Sequence, residues 1–362
     1  MMMILAKAVA RVCLWASAKM DAAAAARARY AVTEEPAGGP GSPRVILLHD
    51  YQTGIKAAVT PFEGGELASL SVRFHHLPIE LLYRARDYGS APDFRGKAPL
   101  LWPAIGPQYN VTMVPDMTCG DGTYMAGDCT CRMPCDGFAK ELPWSEAGHS
   151  DGAKGARLML ELRDSEQTRV SYPFGFLVQA AYELADGSLT INYTVSASRE
   201  NPAPMPFSIG NRMAFRLPFL DGTEPDAMRF QTNCTRQTLL AEAGTVNGEQ
   251  GDRLFATPTR LGDFDATEPL PLSGYQNIIP FARLIDLQGV ALRIRHRAST
   301  TLPEPVVQFN VYGGPRQGFL CPAPWFGMPD SRSSGKPLVM LEPGGDWQWT
   351  VELSPEIALE PC

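Results

Sequence analysis

The sequence predicts an all-β protein built from antiparallel sheets, and three observations carry that expectation. It holds 33 Gly and 32 Pro among 362 residues, too many for a helical bundle and suited to many short strands joined by turns. Alternation of apolar and polar residues recurs along the chain, whereas helical periodicity over about ten or more residues is absent downstream of residue 33. Hydrophobic residues make up 44% and charged residues 20%, enough for a large packed core and too apolar for a disordered chain.

Taken in order, Met1 to Ala31 is alanine-rich, with Lys7, Arg11, Lys19, Arg27 and Arg29 against one acid, Asp21. That is the composition of a targeting peptide. The stretch Pro36-Ala37-Gly38-Gly39-Pro40-Gly41 reads as a flexible linker. Residues 1–40 are thus expected to form an extension or targeting segment, and residues 41–362 a single β domain. The compartment reads as cytoplasmic, with organelle targeting or secretion as the alternatives the first segment raises. Strands follow at Val45 to Leu48, Ile55 to Val59 and Leu67 to Phe74. His75-His76 before Leu77-Pro78 reads as a solvent-facing hairpin turn rather than a metal site. Further strands are expected at Ala156 to Leu162, Phe176 to Leu184 and Ser188 to Ser196. Asp186-Gly187 between the last two is a two-residue hairpin signal. Val290 to His296, Val306 to Tyr312, Leu338 to Leu341 and Trp347 to Leu353 complete the series, and a sandwich of long antiparallel sheets accommodates them.

Several functions are excluded at this level. The net charge is −7 and no long Lys/Arg run is present, so nucleic acid is a poor partner. No stretch reaches the roughly 18 apolar residues of a membrane span. Cys119, Cys129, Cys131 and Cys135 lack the paired C-x2-C spacing of a zinc site, so no metal is expected, and disulfide and free thiol both stay open. Neither a phosphate-binding Gly-rich loop nor a G-x-S-x-G elbow occurs.

Four segments gather aromatic, Arg and Gly-Pro residues beyond what strands require. They are Phe94-Arg95-Gly96-Lys97-Ala98-Pro99-Leu100-Leu101-Trp102-Pro103; Met133-Pro134-Cys135-Asp136-Gly137-Phe138-Ala139-Lys140; Pro206-Phe207-Ser208-Ile209-Gly210-Asn211-Arg212-Met213-Ala214-Phe215; and Cys321-Pro322-Ala323-Pro324-Trp325-Phe326-Gly327-Met328-Pro329-Asp330. Trp and Tyr faces beside fixed hydrogen-bonding groups suit sugar rings, with their apolar CH faces and polar rims. Taken singly, each aromatic could equally be a core residue.

In this order the segments resemble the aldose 1-epimerase (galactose mutarotase-like) family, with support from Ser171-Tyr172-Pro173-Phe174-Gly175-Phe176 and Leu341-Glu342-Pro343-Gly344. The resemblance implies a β-supersandwich, a sugar or sugar-like ligand, no cofactor, and a monomer or homodimer. It also marks departures. The family's second segment reads M-P-x-H-G-F-A-R, and here Asp136 stands at the His and Lys140 at the Arg. The third reads S-I-G-x-H-P-x-F, with its His as general acid, and here Arg212 stands there. The fourth reads C-I-E-P-W, with its Glu as general base, and here the matching residue is Ala323. The family's substrate-binding Asp falls at Asn277 or Ile278.

Mutarotation needs a base for the anomeric hydroxyl and an acid for the ring oxygen, both titrating near working pH. Arginine does not release its proton there and alanine has none to exchange. The inherited mechanism is therefore not expected. The resemblance with these departures implies an epimerase-derived enzyme of altered chemistry on a sugar or sugar-like cyclic ligand, anionic or neutral, with a catalytically inactive carbohydrate-binding or regulatory protein as the alternative. Asp136 and Arg212 remain as candidate catalytic residues, and Arg95, Trp102, Phe138, Asn211 and Trp325 as candidate substrate-binding residues. Three roles stay open for Asp136 and Arg212: a structural salt bridge, separate contacts to an anionic ligand, or altered chemistry with Asp136 as base. His149, in the Gly-rich stretch Gly148 to Gly155, reads as a loop residue that could substitute as an acid.

Overall fold

Tyr30 begins a strand, six residues before Pro36 ends it. The computed structural model describes residues 28–84, 97–106, 122–126, 129–240, 246–253, 255–264, 266–274, 279–299, 309–327 and 338–358. The targeting-peptide reading of the first segment and Arg95 lie outside these residues. The first sheet comprises β1 (Tyr30–Pro36), β2 (Arg44–Asp50), β3 (Ile55–Thr60), β4 (Glu66–Phe74) and β5 (Leu77–Glu80), in that spatial order. Two sequence expectations are corrected here. The extension read as reaching residue 40 gives way at Tyr30 to β1, whose residues pair with β2 from Tyr30↔Asp50 to Pro36↔Arg44. The Gly-Pro stretch after it is a hairpin loop, closed by Ala37 N–H donating to Pro43 O at 2.8 Å. Gly and Pro suit linkers and turns alike, and the pairing of the flanking strands decides between them. At the β4–β5 turn, His75 and His76 both adopt positive φ (46° and 68°) and lie exposed, as the sequence predicts for that hairpin.

Then come β6 (Leu100–Leu101), β7 (Gly122–Ala126), β8 (Cys129–Met133), β9 (Ser145–Gly152), β10 (Gly155–Arg163), α1 (Glu166–Ser171), β11 (Phe176–Ala185), β12 (Ser188–Ala197), β13 (Met205–Phe207), β14 (Ile209–Asn211) and β15 (Phe215–Arg216). The rest are β16 (Arg229–Thr232), β17 (Arg236–Leu240), β18 (Val246–Asp252), β19 (Thr259–Arg260), β20 (Ala266–Ser273), β21 (Phe281–Asp286), β22 (Val290–Ala298), β23 (Phe309–Gly314), β24 (Phe319–Phe326), β25 (Val339–Leu341) and β26 (Asp346–Ile357). Helix α1 has no sequence-stretch long enough to show periodicity; its start is fixed by Ser165, whose hydroxyl accepts from Thr168 N–H while the Thr168 hydroxyl bonds back to Ser165 N–H.

Two large sheets dominate. A nine-stranded sheet runs β19-β16-β21-β22-β26-β12-β11-β10-β9, and an eight-stranded one runs β18-β17-β20-β23-β24-β14-β6, with β15 also paired to β24. In β11 and β12 buried residues alternate strictly with partly exposed ones, the pattern of a sheet with one face on the core. The main core joins all three sheets through residues such as Leu48, Tyr193, Trp349, Phe207 and Phe309. By contrast, seven of the eight residues of β24 are buried (all but Phe326). Its Leu320 joins the main core, while Phe319, Cys321, Ala323 and Trp325 form a second cluster with Leu101, Ile105 and Ala214. The eight-stranded sheet is therefore covered on both faces around β24, and the second face is where the substituted residues gather.

Candidate functional site

The site is built from a turn, a strand end and β24. Residues 134–138 form a tight turn, closed by Gly137 N–H to Pro134 O at 3.0 Å. Asp136 and Gly137 both have positive φ (62° and 68°), a conformation Gly accepts freely and Asp tolerates better than most residues. Glycine is required at 137 for a second reason, since a Cβ there would meet Trp102 O at 2.2 Å. Phe138 and Ala139 N–H both donate to that same carbonyl. Lys140 donates from Nζ to the carbonyls of Cys135 and Gly137, each at 3.1 Å. That grip holds the turn closed.

The Asp136 side chain is buried and both its oxygens are engaged. Oδ1 accepts from Gly106 N–H at 2.8 Å, and Oδ2 accepts from Arg212 Nη1 at 2.9 Å. Arg212 follows β14, with its backbone N–H on Pro99 O at 3.0 Å. The register places it. Gly210 pairs with Trp325 on one side and Phe215 with Leu320 on the other, so Arg212 stands level with Ala323 on the same sheet face. Cys321, two residues along that face, feels the charges of both Arg212 and Asp136, yet burial pushes its thiol up to about 12. It is a packed thiol rather than a nucleophile.

A second charged group adjoins the first. Lys97 is buried, and its Nζ lies 2.8 Å from Glu66 Oε1 and 3.0 Å from Glu63 Oε2. Its carbonyl accepts from Ala214 N–H at 3.0 Å, which ties the first sheet to the strand carrying Arg212. Burial pushes the Glu66 carboxyl up to about 7, against the pull of Lys97 and, more weakly, Arg212.

The candidate residues from sequence divide between two faces. Asp136, Arg212 and Trp325 share the β24 face. Trp102 is fully buried in the main core, edge-on to Phe138, Tyr172 and Phe176. Asn211 points the other way from Arg212, and its Nδ2 donates to the Tyr193 hydroxyl of the nine-stranded sheet. Trp102, Phe138 and Asn211 thus sit in the core and hold the site's framework. His149 requires a correction: it lies on strand β9, exposed, with Nδ1 2.6 Å from Glu146 Oε1. The glycines there space a strand of small and polar residues at the sheet edge, which composition alone reads as a loop. Glu34, Glu146 and His149 bring ligand atoms within 4.8 Å of one another. Arg44 already supplies the positive charge there, 2.5 Å from Glu34 and 3.4 Å from Glu146. An open depression of about 450 Å³ lies over β9–β11, lined by His149, Arg157, Met159 and Glu183 among others, on the other large sheet. Cys135 is disulfide-bonded, to a partner outside the described residues, while Cys129, Cys131, Cys234 and Cys321 are free thiols.

Sequence reasoning did not single out Lys97, Glu66 or Asn310. A lysine inside a Gly-Pro-aromatic segment was the available signal for the first. Asn310 interrupts an apolar strand opposite Ala323, a polar residue where the pattern asks for none.

The arrangement of antiparallel sheets defines the fold class as galactose mutarotase-like. Residues 120–354 match the aldose 1-epimerase family, and the chain belongs to that family. Its fold is similar to a galactose mutarotase-like protein from Clostridium acetobutylicum (TM-score 0.69, 17% identity, covering 91% of this chain and 99% of that one). It is similar also to a galactose 1-epimerase from Lactobacillus acidophilus (TM-score 0.66, 16% identity, 91% and 100%). Among curated proteins it is 29% identical over 90 residues to a "Putative glucose-6-phosphate 1-epimerase" of Salmonella typhimurium and to one of Escherichia coli. Each match covers about a quarter of this chain and a quarter of the relative. Among the described residues, no helix is long and apolar enough to cross a membrane.

Proposed function

We propose that this protein binds a sugar or sugar-like cyclic ligand on the β24 face and does not carry out the mutarotation typical of its family. The observation that carries this reading is the double engagement of Asp136. One oxygen is held by the Gly106 N–H and the other by the Arg212 guanidinium, so taking a proton from a ligand competes with both bonds. Its partner Arg212 is a guanidinium, which donates hydrogen bonds and accepts none, Ala323 has no group that exchanges a proton, and the Cys321 thiol is pushed up to about 12 by burial. Arg212, about one-third exposed, carries several N–H donors in a planar fork, which suits the oxygens of a sugar carrying a carboxylate, phosphate or sulfate. The alternative reading, an isomerase with altered chemistry, needs Asp136 released from both partners.

The test has two arms. Thermal-shift and calorimetric titrations with glucose, galactose and their 6-phosphates are expected to show stabilisation by at least one sugar, the anionic forms binding tighter. NMR exchange between anomers of the same sugars is expected to proceed at the buffer rate. Enzyme-dependent exchange would refute the loss of mutarotation, and an absence of binding would refute the ligand reading.

A further inference from the structure

The face around Ala323 carries two polar atoms that the fold itself leaves unsatisfied. Asn310 is 7% exposed, and its Oδ1 is buried with no hydrogen-bond partner. Trp325 is likewise 7% exposed, and its Nε1 is buried without an acceptor. Buried polar groups are normally paired, and leaving one unmade costs about 1–3 kcal/mol. Two on one face call for a partner beyond the fold.

Their placement is set by register. Asn310 pairs directly with Ala323, and directly paired residues on antiparallel strands project to the same face. Arg212, just past the end of β14, falls level with Ala323 on the other side when the register of Gly210↔Trp325 and Phe215↔Leu320 is carried across it. Ala323 is therefore flanked by Asn310 on one side and Arg212 on the other, about 10 Å apart between Cα atoms across two strand spacings. Trp325 lies on the same face one pleat, about 7 Å, further along β24. A methyl group at the centre, an amide acceptor, an indole donor and a guanidinium around it form a set that no single strand supplies.

We propose that Asn310 is a ligand-binding residue of this site, accepting a hydroxyl of a hydroxylated ring seated over Ala323 between Asn310 and Arg212. The same ring offers an oxygen to Trp325 Nε1. The chemistry asked of the ligand is a hydroxyl donor and an acceptor oxygen on neighbouring edges of a ring small enough to lie across β24 between Asn310 and Arg212, which a pyranose provides. This inference rests on the sugar-binding reading above and adds the contact that replaces the missing family Glu: a neutral amide that can hold a hydroxyl but cannot take its proton.

The test uses the full-length protein and two variants, Asn310→Leu and Ala323→Leu, titrated with glucose, galactose and their 6-phosphates, with melting followed in the absence of sugar. Asn310→Leu is expected to melt no lower than the parent, because the amide oxygen loses no internal bond, and to weaken sugar binding by tenfold or more. Ala323→Leu is expected to abolish binding by filling the seat. If the parent binds sugar and Asn310→Leu binds it equally well, the assignment of Asn310 is overturned while the sugar-binding reading stands. If Asn310→Leu melts markedly lower and keeps its affinity, Asn310 is a structural residue and the proposal fails. If the parent binds none of these sugars, the ligand reading falls, and this assignment with it.

Discussion

Arg212 and Asp136, 76 positions apart in the chain, meet at 2.9 Å between Nη1 and Oδ2. The contact turns the two candidate catalytic residues into one fixed ion pair. Its other anchor, Gly106 N–H on Asp136 Oδ1, makes the pair a bridge between the turn at 134–138, the segment after Trp102 and the end of β14.

Asp136→Asn keeps an acceptor for Gly106 but removes the charge facing Arg212. Hydrogen bonds to charged groups contribute about 1.5–3 kcal/mol, and Asp136 is buried while Arg212 is about one-third exposed. A loss near the lower end of that range is expected in urea unfolding. Unchanged stability would mean the pair contributes nothing to the fold.

Glu66 gives a pH signature. Its carboxyl sits at about 7 in the folded protein against an ordinary value of 4.5, so the native state holds a proton that the unfolded chain releases between those values. Stability from this group is therefore highest at the acid end and falls as pH rises from about 4.5 to 7. Glu66→Gln is expected to remove that slope, seen as a smaller drop in Tm between pH 5 and pH 8 than in the parent. Equal drops in both proteins would show that Glu66 does not titrate in this range.

Trp102 and Trp325 should separate cleanly. Trp102→Ala opens a cavity in the main core and is expected to cost about 3–5 kcal/mol. Trp325→Phe keeps an aromatic ring, but a smaller one, and removes an indole N–H that has no protein partner. The gap it leaves in the buried cluster is expected to cost about 1–3 kcal/mol, less than Trp102→Ala, while lowering sugar affinity. The reverse pattern would place the ligand against Trp102.

Gly210 faces Trp325, and a Cβ there would come within 2.4 Å of the indole Cδ1. Gly210→Ala must displace that ring, and a loss of about 1–3 kcal/mol is expected from the overpacking. Gly152, with nothing within 4 Å of an added Cβ, is the control: Gly152→Ala should shift stability by no more than about 0.5 kcal/mol. Comparable effects at both sites would dissociate Gly210 from Trp325.

The strands were legible wherever one face meets the core and the other meets solvent. Phe176–Ala185 and Ser188–Ala197, with Asp186-Gly187 between them, alternate in sequence and in burial alike. The same reading is silent on β24, where Cys321-Pro322-Ala323-Pro324-Trp325 is buried on both faces and has no alternation to show. It also could not divide the aromatics. Trp102 and Trp325 sit in similar Pro-flanked segments, and only packing puts one in the core and the other on the site face.

Sequence by itself determined the all-β class and the hairpin turns at His75-His76 and Asp186-Gly187, because these depend on residue type and short-range spacing. Only the tertiary structure decided that Asp136 is locked by Arg212 and Gly106, that Lys97 reaches both Glu63 and Glu66, and that Asn310 stands beside Ala323 with an unmet oxygen. Those facts depend on register between strands far apart in the chain, and register is set by the burial of whole sheets rather than by any local pattern.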